Sequence, residues 1–169
     1  MGSPRRARAS RVCLGLACAA GLVHAAFSLY WAVGGTWLLD TVGQWAVRLH
    51  AEAPLQAGLV LAAVALAKAA GAVVPVLVDR QRIGGRAFWR ALSWVGAVAL
   101  VAYGGVNTLV SNAVLAGVIR PDGGYDRPAM IGHAWLWDPL FLVWGAALLA
   151  HLWLTRPGRG AAARTRRGA

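Results

Sequence analysis

The sequence predicts an all-α, polytopic membrane protein: four transmembrane helices in an up-down bundle, with both termini cytoplasmic. Three observations carry this. Of 169 residues, 59% are hydrophobic and only 14% charged, below the charged share of a soluble domain. Four apolar runs each reach the roughly 20 residues a helix needs to cross a hydrocarbon core. The arginines fall between those runs instead of lining one helical face, and no period-2 alternation suggests a membrane barrel.

Residues 1–11 are expected to be a basic cytoplasmic tail, followed by a transmembrane domain over 12–154. The first span covers about 12–33. "RRARASR" before "VCLGLACAAGLVHA" has the layout of a signal peptide, with Val23 and Ala25 at the cleavage positions. Apolar character continues to Val33, however, which favours an uncleaved helix. Gly15 stands where a lipobox requires leucine, so Cys18 is not read as a lipid attachment site. Cys13 and Cys18, five apart, fall on different helical faces and are not expected to pair.

The remaining spans cover about 55–78, 91–115 and 135–154. Between the first two lies a connection opening with Gly34-Gly35 and holding Asp40, Arg48, His50 and Glu52. Between the last two, "GVIRPDGGYDRPAMIGH" is rich in turn residues. In "WLWDP", Asp138 is read as an N-cap and Pro139 as the first helical residue. A helix beginning before Trp135 would instead make Asp138 a buried carboxylate. Residues 155–169 lack apolar periodicity and are expected to be a disordered basic tail.

Arginine placement orients the chain. Arg5, Arg6, Arg8, Arg11, Arg80, Arg82, Arg86, Arg90 and the C-terminal Arg156, Arg159, Arg164, Arg166 and Arg167 fall on one side. Arg48, Arg120 and Arg127 fall on the other. A multi-pass protein of the cell (inner) membrane is expected, and the excess of arginine over the single Lys68 hints at a bacterial, GC-rich source. The net charge of +11 then reflects these flanks and not a nucleic-acid partner.

Helices in lipid associate through small residues and a few hydrogen bonds. Ala63, Ala67 and Gly71 form a small ridge for a close neighbour. Gly21, His24, Ser28 and Gly35 share one face of the first span, and Gly104, Asn107, Thr108 and Ser111 a polar stripe on the third, with Asn112 near its end. These stripes are expected to face one another. Trp31, Trp37, Trp135 and Trp137 are assigned to an outer aromatic belt, and Trp89, Trp94 and Trp153 to an inner one. "YWAVGGTWLL" and "VAYGGVNTLV" echo each other and raise parallel duplication of a helical hairpin.

His24 and Lys68 fall near mid-membrane, where a charge costs about 2.5–3.5 kcal/mol and usually faces a bundle or wet cavity. His24 could equally bond Ser28 or a backbone carbonyl as a neutral residue, and Lys68 could snorkel. The candidate ligand site is His24, Ser28, Tyr30, Trp31, Lys68, Asn107, Asn112 and Asp138. No metal or other cofactor is expected, because metal-ligand spacings, a phosphate loop, a dinucleotide fingerprint and depth-matched haem histidines are all missing.

"HAAFSLYWAVGGTWLLD" and "GHAWLWDPLFLVWG" carry the pattern H-x5-YWA-x-GG with a later WDP. In these the chain resembles a family of small bacterial four-helix membrane proteins known only as a domain of unknown function. The resemblance implies four helices and no transferable activity.

The expected function is a non-enzymatic membrane protein that binds a small apolar or lipid-like ligand, or a membrane partner subunit or second copy. Its semi-polar interior would open to the outer face at the Gly-Gly turn. The alternatives are an intramembrane enzyme acting on a lipid or isoprenoid, with His24 or Asp138 as acid/base and Lys68 stabilising negative charge, and a proton-coupled carrier using His24 and Lys68, which would need to oligomerise.

Overall fold

The structure, a computed structural model, describes residues 3–156. It is all-helical, without a β-strand among the described residues. The elements are α1 (Pro4–Ala32), α2 (Gln44–Glu52), α3 (Pro54–Asp79), α4 (Arg86–Leu115), α5 (Arg127–Gly132), a π-helical turn (His133–Trp137) and α6 (Asp138–Leu154). Segment α5, the π turn and α6 run on as one helix of 28 residues, Arg127–Leu154. Together with α1, α3 and α4 it makes four helices long and apolar enough to cross a membrane.

Helix boundaries differ from the sequence expectation where capping decides them. Ser3 Oγ accepts from Arg6 N (3.4 Å) and Pro4 suits the first turn, so α1 starts inside the basic segment expected to be a tail. The fourth helix starts at Arg127, not Trp135. Asp126 Oδ1 accepts from Ala129 N at 3.2 Å, and Pro128 follows in the first turn. Asp138 therefore caps nothing: its backbone is helical (φ −77°, ψ −37°) and its side chain is buried. The connection after α1 also contains a helix, α2, absent from the expected loop. Most of the tail expected to be disordered, from residue 157 on, lies outside the described residues.

Contacts of known register fix the helix directions. On α1, Ser10 meets His151 and His24 meets Trp137, so α1 and α6 are antiparallel. Lys68 meets Ser28, and a Cβ on Gly58 would lie 2.9 Å from Ala32 O, so α1 and α3 are antiparallel too. A Cβ on Gly104 would strike Asp138 O at 2.6 Å, and one on Gly145 would strike Ala97 O and Val101 N at 2.8 Å. Each of these glycines admits the backbone of the opposite helix, which locks α4 against α6. Helix α1 packs along α3 and α6, and α6 along α4, whereas α3 and α4 touch only sparsely. The four-helix array is thus open along one side.

One end is closed by polar contacts. His151 Nδ1 lies 3.0 Å from Ser10 Oγ, and Nε2 lies 3.6 Å from Asp79 Oδ1, linking α6 to α1 and α3. Arg90 of α4 donates to Leu152 O (3.2 Å) and Thr155 Oγ1 (3.0 Å), and Arg6 of α1 to Leu154 O (2.9 Å). These groups satisfy carbonyls that a helix C-terminus leaves without donors.

Several expected packing features are corrected. Ala63, Ala67 and Gly71 do not form the α3 contact ridge; all three are exposed, while Ala57, Ala65 and Ala72 are buried against α1. Trp31 and Trp137 are core residues at 5% and 3% exposure, packed edge-to-face at 5.2 Å, so of the four tryptophans assigned to the outer belt Trp37 and Trp135 remain exposed. Their indole N–H groups have internal acceptors, Trp37 O and Thr41 Oγ1, which makes burial affordable. Gly34-Gly35 form a turn after α1 whereas Gly104-Gly105 sit mid-helix, so the internal echo does not mark equivalent positions.

Candidate functional site

The π turn sets the site's geometry. Pro139 supplies no N–H, and the wider π turn shifts the backbone ladder, so carbonyls here can accept side chains from elsewhere. Asn112 Nδ2 of α4 donates to Ala134 O (3.4 Å) as well as to Thr108 O (2.7 Å). His24 Nε2 of α1 donates to Trp137 O at 3.0 Å. A carbonyl only accepts, so Nε2 of His24 carries its proton. The His24 ring also stacks on Phe141, with centroids 3.8 Å apart. Of the two expected partners for His24, the backbone carbonyl is the one found.

Ser28, expected as that second partner, instead accepts from Lys68 Nζ at 3.0 Å. Lys68 Nζ also lies 5.4 Å from the Phe141 ring centroid, a favourable cation–π position. Among the described residues no carboxylate oxygen lies within 4.0 Å of it.

The π turn also pairs His133 with Asp138. At five residues' separation in an α-helix these side chains would point about 140° apart; the π turn, with its i→i+5 bonds, brings them together. His133 Nδ1 lies 2.9 Å from Asp138 Oδ2, and His133 Nε2 donates to Val42 O at 3.3 Å. With Nε2–H committed to a carbonyl, the Nδ1–Oδ2 bond needs one further proton, on the imidazole or on the carboxyl. Either way the pair has zero net charge. Asp138 is 1% exposed, and its second oxygen, Oδ1, has no partner among the described residues.

These groups line a half-open chamber of about 390 Å³. His24 and Trp31 contribute from α1, Lys68 from α3 and Tyr103 from α4. His133, Trp137, Asp138 and Phe141 line it from the fourth helix, and Val42 and Trp45 border it from the α1–α3 connection. Beside it, in the gap between α3 and α4, runs an apolar cleft of about 730 Å³. Ala67, Gly71 and Pro75 line one wall, Leu92, Gly96 and Leu100 the other, and Trp144 and Leu148 the floor. Tyr103 and Phe141 belong to both spaces, so the polar chamber and the apolar cleft adjoin.

Of the residues singled out from sequence, His24, Trp31, Lys68 and Asp138 line the chamber, and Ser28 touches it through Lys68. Tyr30, Asn107 and Asn112 do not line it. The Tyr30 ring covers Gly35 and its hydroxyl accepts from Trp37 N (3.4 Å), which makes it a turn residue. Asn112 satisfies the π turn, because the α4 stripe faces α6 and not α1. Sequence reasoning missed Tyr103, Phe141 and Trp137 as walls and placed His133 among surface loops. The available signal was Asp126 two residues before Pro128, a cap that starts the helix early enough to bring His133 inside. No cluster suited to a metal ion occurs among the described residues.

Fold and site define a class: an all-helical protein with four membrane-length helices, a polar chamber within them and an apolar cleft at its side. The chain belongs to the family described as "Protein of unknown function (DUF3995)", whose model matches residues 6–148 and so takes in every chamber residue. No curated protein and no solved structure matches the chain.

Proposed function

We propose that this is a multi-pass protein of the bacterial inner membrane that binds a small lipid-like amphiphile without transforming it. The tail of the ligand occupies the α3–α4 cleft and its head the chamber. The observation that carries this reading is the adjacency of the two spaces across Tyr103 and Phe141: an apolar slot that ends at a few convergent polar groups. In a bilayer the open side of the array faces lipid, so entry is lateral. Native mass spectrometry of gently solubilised protein tests it. The wild type should retain a stoichiometric amphiphile, and Ala67→Trp, which fills the slot, should lose it. A wild-type spectrum without adduct removes the reading.

The end bearing Ser3 and the α3–α4 turn faces the cytoplasm in this proposal, on the strength of its arginines. In a cysteine-free background, an impermeant maleimide should label Asp122→Cys in intact cells and Ser3→Cys only after lysis. The reverse pattern would invert the topology.

One observation favours an enzymatic alternative acting on a lipid or isoprenoid: the His133–Asp138 pair holds a transferable proton at the chamber wall. Turnover would appear as a change in the mass of the added amphiphile, abolished by Asp138→Asn. Binding alone leaves that mass unchanged.

A further inference from the structure

We infer that the amphiphile is a long-chain monocarboxylate, its head group paired with Lys68; this rests on the binding reading above. Lys68 is the single Lys or Arg side chain among the described residues lining the chamber. Its ammonium has three protons to donate, and Ser28 Oγ accepts one of them. A cation at membrane depth is normally matched by an anion, and no carboxylate among the described residues lies within 4.0 Å. Asp138 lines the same chamber, but it is bound to His133 in a pair of zero net charge, so it neither neutralises Lys68 nor repels an incoming anion.

The complement of one unpaired cation is one negative charge. A carboxylate supplies it with two acceptor oxygens. A phosphate monoester brings up to two charges and three oxygens, for which recognition sites characteristically supply arginine forks or a helix N-terminus. Among the described residues no arginine lines the chamber, and the helix N-terminus at its border, that of α2, already has Gln44 N donating to Asp126 Oδ2 at 2.9 Å. Lys68 also follows Ala67 in α3, a residue of the cleft wall, and its ammonium sits over Phe141, which both spaces share. A head group on Lys68 therefore leaves its chain beside the cleft. At about 730 Å³ the cleft falls within the usual size of a small-molecule pocket.

The test uses the full chain in lipid nanodiscs and three probes that share one hydrocarbon chain: oleate, oleyl alcohol and oleyl phosphate. Binding is read from native mass spectra across a titration. Oleate should bind at least about tenfold more tightly than the alcohol. That preference should vanish in Lys68→Met through loss of oleate binding alone, and survive in Lys68→Arg. Retained binding of the alcohol by Lys68→Met shows that the variant is folded. Equal binding of oleate and alcohol, with Lys68→Met silent, overturns the carboxylate assignment and leaves the amphiphile reading standing. Tighter binding of the phosphate than of oleate overturns it as well. Failure of all three probes to bind the wild type overturns both.

Discussion

His133→Ala should be among the most destabilising single substitutions in the protein, costing about 3–5 kcal/mol in reversible unfolding from detergent micelles. The reason is Asp138. Its side chain is 1% exposed, and among the described residues Oδ1 lacks a partner and His133 Nδ1 is the sole group bonded to Oδ2. Removing the imidazole leaves a carboxyl group with no partner in a medium that solvates charge poorly. The double variant His133→Leu/Asp138→Leu should recover most of the loss, to within about 1 kcal/mol of wild type, because replacing both partners removes the desolvation penalty with the bond. Equal destabilisation by the single and double variants would show that His133 contributes packing and not charge compensation.

Gly145→Val and Gly104→Val should each cost about 1–3 kcal/mol and separate α4 from α6. At both positions the added carbon meets the main chain of the partner helix: Ala97 O and Val101 N at 2.8 Å from the first, Asp138 O and Leu142 N at 2.6 and 2.7 Å from the second. A backbone cannot swing aside as a side chain can. The matched controls are Gly96→Ala, which meets nothing within 4 Å, and Gly105→Ala, whose nearest neighbour is Leu142 Cδ1 at 3.8 Å. Thermal unfolding of all four should separate them into two groups. Helix propensity favours alanine over glycine, so Gly96→Ala should be neutral or stabilising; destabilisation by it comparable to that by Gly145→Val would mean that interhelical approach does not govern these glycines.

Hydropathy made the four long helices legible because spanning length and the scarcity of charge are properties of composition along the chain. The site was legible only where it depends on helix periodicity. His24 and Ser28, four apart on α1, were placed on one face and do share it. Lys68 stood out because a lone cation within an apolar run needs a reason. Periodicity fails at the π turn, since an extra residue in one turn rotates everything beyond it, and no local pattern announces that extra residue. That is why His133 and Asp138 could not be paired from their spacing, and why Asp138-Pro139 was read as a helix start when Asp126 with Pro128 performs that role. Neighbour choice was equally hidden. A stripe such as Gly104–Thr108–Ser111 declares that it packs, but the identity of its partner, α6 and not α1, depends on how all four helices arrange themselves.

Under the proposed binding role, the sparse contact between α3 and α4 also changes what affinity means for this protein. A slot that opens sideways in the bilayer samples a two-dimensional solution in which bulk phospholipid is the competing solvent. Occupancy follows the ligand's mole fraction in the membrane, so two amphiphiles with the same intrinsic fit will be ranked by how strongly each partitions into lipid. Doubling the lipid at fixed ligand would halve the effective concentration at the slot while the aqueous concentration of a poorly soluble ligand stayed negligible throughout.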